Sequence, residues 1–167
     1  MQSVAQAAAL VPPDSLLLRT ISPAPDPPGC RQLVVVAAGG RTLAWSPSRV
    51  AVHLLEITGG RIVQALFHGA APGADRAIAA AANQLGWPVI ACPALWQQHG
   101  RSAGPIRNRQ MLHQAIAQLA QLALLPAGAA LLVVAFPGGP GTASLVQLTR
   151  SLQARSSLSI ELLTIRA

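Results

Sequence analysis

The stretch Leu131-Leu-Val-Val-Ala-Phe-Pro-Gly-Gly-Pro-Gly-Thr142 decides how the rest of the chain is read. Leu131–Phe136 is apolar at every position and stops at a proline–glycine cluster, which gives it the length and boundary of a strand. A strand with no polar alternate position is covered on both faces, as central strands of parallel sheets are. The glycines and prolines then turn the chain, and a helical pattern opens at Thr142. Leu33–Ala38 repeats this wholly apolar grammar and runs into Gly39-Gly40-Arg41.

Further strand-like runs lie at Ile62–Phe67, Pro88–Cys92 and roughly Leu158–Ile165. The last contains Glu161 and suits a sheet edge. Helical patterns fill the gaps near Ser46–Ile57, Ala74–Leu85, Pro105–Leu124 and Thr142–Ala154, and in the third Leu112, Ile116, Leu119 and Ala123 mark a buried stripe. Strand–helix alternation predicts an α/β fold: a Rossmann-like, doubly wound, mainly parallel sheet of about five strands with helices on both faces.

Residues 1–30 read differently. They hold six of the fourteen prolines and end in Ser22-Pro-Ala-Pro-Asp-Pro-Pro-Gly29, a linker composition. We expect a Pro/Ala-rich N-terminal extension over 1–30 and one folded domain over 31–167. No signal-peptide pattern is read in Met1–Leu18, which holds no basic side chain ahead of its short apolar run. The uncharged run Leu122–Phe136 falls short of the ~18–20 residues a membrane span needs, and Pro126-Ala-Gly128 interrupts it. With only Cys30 and Cys92, no disulfide framework is available, and a cytoplasmic setting without membrane attachment is the expectation.

Charge narrows the chemistry. Five acidic residues face twelve basic ones, a net charge of +7, and every basic residue is an arginine. Without lysine there is no Schiff-base chemistry and no GxxxxGK[ST] phosphate loop. Anionic, phosphate-bearing partners are favoured. Asp75 is the sole carboxylate between Ile57 and Ile160. That argues against paired-carboxylate hydrolysis and a magnesium cage, and the four histidines lack metal-ligand spacing, so no metal site is expected.

Open α/β sheets bind ligands at the carboxyl ends of their strands. Three glycine-rich loops fall there: Gly39-Gly40-Arg41, Gly69 to Arg76 with Gly73 and Asp75, and Gly138-Gly139-Pro-Gly141-Thr142. Glycine lets a ligand approach backbone amides, and a helix starting there offers free N–H groups to a phosphate. Asp75 has two readings: a cap complementing its helix, or contact with a ribose hydroxyl and general acid–base work, where it is the one catalytic candidate. Counting back from Leu112 puts Asn108 and Arg109 on the inward face and Arg107 outward, so Asn108 and Arg109 are expected at the site. His68 and Trp96 are rim or core residues first and ligand contacts second.

The motifs GAAPGADR (69–76), GPIRNRQM (104–111) and VVAFPGGPGT (133–142), in that order, resemble the SLOG superfamily of Rossmann-like nucleotide-binding proteins, in its YspA/YpsA-related branch. The resemblance runs from Leu33 to the C-terminus. It implies binding of a nucleotide or nucleotide-derived ligand, such as an ADP-ribose species, by a sensor or processing protein; homodimers are common among such proteins. The cytokinin-activating LOG relatives carry PGGxGTxxE, whose glutamate serves phosphoribohydrolysis. Here that slot is Leu145, aligned with Leu148 and Leu152 as a core stripe, so deglycosylation by that route is not expected. The alternative is a single-stranded DNA binder resembling DNA-processing protein A, which shares an Arg-Asn-Arg stretch. The net charge favours it, whereas 3% aromatic content and no tyrosine disfavour it, because strand binding uses stacking platforms.

Overall fold

A computed structural model describes residues 32–122, 124 and 128–166. The expected N-terminal extension and Cys30 lie outside the described residues. Five parallel strands, β1 (Gln32–Ala38), β2 (Ile62–His68), β3 (Val89–Ala91), β4 (Ala129–Ala135) and β5 (Ile160–Thr164), form one sheet in the order β3-β2-β1-β4-β5. The helices between them are α1 (Pro47–Thr58), α2 (Ala74–Gln84), α3 (Trp96–His99), α4 (Ala103–Leu122) and α5 (Pro140–Arg155).

Strand alternation sorts the core into two layers. Leu33, Val35 and Ala37 of β1 join Ala130, Leu132 and Val134 of β4 under α1 and α2, through Leu54 and Ile78. Val34, Val36, Leu131 and Val133 point the other way, onto Met111, Leu112 and Leu119 of α4 and Leu145 of α5. β4 throughout, and β1 after Gln32, are apolar at every position because both faces are roofed by helices. Glu161 does sit on an edge strand, where Arg61 meets both its oxygens at 2.7 and 3.1 Å.

Local capping fixes where helices begin and end. Ser46 accepts a hydrogen bond from the Arg49 amide at 3.2 Å, Pro47 opens α1, and Gly59 closes it with a φ of 58°. Two boundaries differ from expectation. α4 begins at Ala103, ahead of Pro105, and α3 with a 3₁₀ turn (Gly100–Ser102) fills what read as loop. The Trp96–Ser102 segment is too short and too exposed to show a periodic apolar face, so its sequence carries no helical signal.

A candidate phosphate and nucleotide cleft

In the order β3-β2-β1-β4-β5 the chain crosses the sheet one way from β1 to β3 and the other way from β4 to β5, and the loops leaving β1 and β4 part to form a crevice at their carboxyl ends. A cleft of about 720 Å³ opens there. Its floor and walls come from Gly39–Leu43 after β1, Pro137–Ser144 after β4, Ala71 and Asp75 beside α2, Trp96 of α3, and Arg101 to Asn108 on the approach to α4 and its first turns.

The loops are locked to one another by backbone. The Gly40 amide donates to the Pro137 carbonyl at 2.9 Å, and the Ala74 amide, opening α2, donates to the Gly40 carbonyl at 3.0 Å. Such close approach removes room for side chains. A Cβ on Gly73, whose φ is +76°, would lie 2.2 Å from the Arg41 carbonyl oxygen; one on Gly138 would lie 2.2 Å from Thr142 Oγ1 and 2.7 Å from the Gly40 nitrogen. These glycines are required by the fold itself. Gly139 and Gly141 are different: both line the cleft, neither has a positive φ, and a Cβ on either meets nothing within 4 Å.

Polar side chains below the loops form a connected set. Asp75 is 2% exposed, and its Oδ2 accepts from the Ala71 amide at 3.1 Å, so the carboxylate braces the β2–α2 loop rather than the Gly73 cap of its own helix. Arg107 Nη1 donates to the Gly69 carbonyl, lies 3.4 Å from the Cys92 carbonyl and 3.9 Å from Asp75 Oδ2, while its Nε donates to Asn108 Oδ1 at 3.0 Å. Asn108 Nδ2 in turn donates to the Gly141 carbonyl at 3.0 Å. Two adjacent residues of α4 thus tie together the loops after β2, β3 and β4.

Burial dominates the electrostatics. It raises the Asp75 carboxyl above its ordinary value, against the opposing pull of the Ala71 amide, Arg107 and His68. The Gly39 N–H adds a pull short of a formed hydrogen bond, since Asp75 Oδ1 is buried without a bonding partner. Burial lowers His68, with Asp75 opposing and Arg107 reinforcing, and it lowers Arg107, with Asp75 opposing. Ala70 holds a φ of 54°, the one non-glycine in that region among the described residues, and its amide donates to His68 Nδ1 at 3.2 Å.

Of the residues expected at the site, Gly39, Gly40, Arg41, Asp75, Asn108, Gly138, Gly139, Gly141 and Thr142 line the cleft. Gly69 and Gly73 stand behind it, as the acceptor for Arg107 and the neighbour of Arg41. Arg76 and Arg109 are exposed and outside it. The expected facing of the Arg-Asn-Arg stretch is corrected: Arg107 points in and Arg109 out. At about 100° per residue the two arginines flank Asn108 symmetrically, so helical phase cannot choose between them. The carbonyls of Gly69 and Cys92 and the Asp75 carboxylate all lie on the Arg107 side, and they decide it. Arg101 also lines the cleft, and its exposed place in a short turn left no pattern by which to find it. No cluster of metal-ligating side chains occurs among the described residues.

Leu145, the position of the LOG glutamate, is fully buried between α5 and the sheet and does not line the cleft. No helix among the described residues is long and apolar enough to cross a membrane. Searches among curated proteins and among solved structures return no match. Residues 33–99, carrying β1 through α3 and the Asp75 side of the cleft, do match a family, YAcAr, described as YspA, cpYpsA-related SLOG family. Over that segment, which carries β1 through α3, the chain is similar to the YspA/cpYpsA-related SLOG family, and its all-parallel sheet is Rossmann-like.

Proposed function

We propose that the cleft binds a nucleotide-derived ligand, an ADP-ribose-like compound or another phosphorylated nucleoside, with a phosphate against Gly138–Thr142, and that the protein acts as a sensor or processor of it. The match of residues 33–99 to a SLOG family supports a nucleotide-related ligand at a coarse level. The observation that carries the finer reading is the pair Gly139 and Gly141: neither backbone conformation nor packing asks for glycine there, yet both border the cleft at the start of the sixteen-residue α5. Bare backbone at a helix N-terminus admits a phosphate to free N–H groups and the positive end of the dipole. Among the described residues, three arginines, Arg41, Arg101 and Arg107, line the same cleft against the single carboxylate of Asp75.

Gly141→Ala separates binding from folding. Alanine suits this helical position and stabilises by about 0.4–1 kcal/mol where the backbone permits it. The variant should therefore melt at or above the wild-type temperature while losing its response to ligand. Thermal unfolding with AMP, NAD and ADP-ribose checks this: at a hundred times its Kd, one of them should stabilise the wild type by about 2.7 kcal/mol, with little dependence on salt. Equal ligand shifts in wild type and Gly141→Ala would remove the phosphate assignment. Stabilisation by a single-stranded oligonucleotide alone, fading steeply with salt, would favour the strand-binding alternative.

A further inference from the structure

Trp96 has no role in the fold that explains its place. Of the three tryptophans, Trp45 and Trp87 pack against the core layer under α1 and α2, whereas Trp96 belongs to neither core layer. It is 47% exposed and lines the cleft from α3. An indole left half in water at the wall of a ligand-sized cleft offers an apolar ring face to an aromatic partner. Its orientation is constrained on two sides. The Arg41 guanidinium carbon lies 4.8 Å from the ring centroid, within cation–π range, and the far edge of the indole reaches α4 at Gly104, where a Cβ would lie 3.5 Å from Cη2.

Helix α4 joins this wall to the phosphate loop. The indole edge lies against α4 at Gly104, and Asn108, four residues on, holds the Gly141 carbonyl at 3.0 Å. Trp96 and Gly138–Gly141 line one cleft, so a ligand with its phosphate on the loop and a base on the indole would span it. We propose that Trp96 is the base platform of the cleft, so that its ligand class is a nucleoside 5′-phosphate, or a larger molecule containing one, rather than a base-free sugar phosphate. The assignment rests on the phosphate reading of the Gly138–Thr142 loop. Arg41 fixes the tilt of the indole from one face, and stacking a base needs only one face. Because every base has a π-face, the platform selects for the presence of a base and not for its identity.

The test compares AMP with ribose 5-phosphate on the full chain, by titration calorimetry, for wild type, Trp96→Ala and Trp96→Phe. Wild type should bind AMP about tenfold or more tightly than ribose 5-phosphate, the order expected from one stacked base. In Trp96→Ala that ratio should fall to near one while ribose 5-phosphate affinity holds, and Trp96→Phe should keep most of it. Since Trp96 lies outside both core layers, all three proteins should melt at similar temperatures. If ribose 5-phosphate binds but AMP binds no better in wild type, or if the ratio survives Trp96→Ala, the platform is overturned and the phosphate site stands. If neither compound binds, the phosphate reading falls and takes the platform with it.

Discussion

His68 ends β2 with its imidazole buried and its Nδ1 accepting from the strained Ala70 amide, which places the ring proton on Nε2. Protonating Nδ1 would set two donors against each other, and burial already lowers the pKa. The sign follows. A lowered folded value means the unfolded chain binds the proton more readily, so the contribution of His68 is complete above its ordinary value near 6.5 and is lost as pH falls toward the folded value. Asp75 runs the other way: its raised carboxyl contributes below the ordinary carboxylate range and loses that contribution as pH rises through the folded value. The His68 share of the melting temperature should therefore fall on acidification below about pH 6.5 in wild type, with Asp75 opposing it. The fall should be blunted in His68→Asn, whose Oδ1 takes the place of Nδ1 as acceptor without titrating. Parallel profiles for the two proteins would show that another group carries the dependence. The sequence put His68 at a strand end and Asp75 at a helix start; burial, which sets both pKa directions, is a property of their neighbours.

At the scale of elements, α4 and α5 show how far periodicity reaches. The stripe through Leu112 and Leu119 is buried as read, and Asn108 is inward, 2% exposed. Which flanking arginine joins it was set by carbonyls at the ends of β2 and β3, more than a dozen residues away in sequence, and no pattern within α4 encodes them. For α5 the local pattern sufficed. Leu145 aligns with Leu148 and Leu152, and all three pack in the layer beneath α4 and α5. A glutamate restored there would be a carboxylate without a partner in a closed core, at a cost of several kcal/mol. Leu145→Glu should lower the melting temperature by ten degrees or so, at roughly 2–8 °C per kcal/mol for domains of this size range, and gain no hydrolase activity. A well-folded variant that releases base from a nucleotide would show that α5 can turn this position into the cleft.

For the whole molecule, the reversal of strand order between β1 and β4 creates the cleft, and the two loops at that point carry the glycines facing it. Among the described residues Asp75 is the single carboxylate lining it, and that carboxylate is engaged with the Ala71 amide and Arg107. Purified protein incubated with AMP should release no free adenine, as followed by chromatography. Rapid adenine release would mean that Asp75 alone, or a residue not yet considered, does the work that the LOG glutamate does elsewhere.

The sequence by itself determined the fold: two wholly apolar strands, glycine-rich turns and intervening amphipathic helices leave one way to bury both faces of a parallel sheet, because each of these signals is local. It also located the three loops, since glycine at a strand end restricts the chain wherever it occurs. Only the tertiary structure separated the glycines the fold requires from Gly139 and Gly141, which it does not, because steric need depends on what stands opposite. Likewise only the assembled sheet chose Arg107 over Arg109 and brought Trp96 to the same cleft as the loop after β4. Those choices rest on contacts between residues far apart in the chain, and such contacts have no periodicity to read.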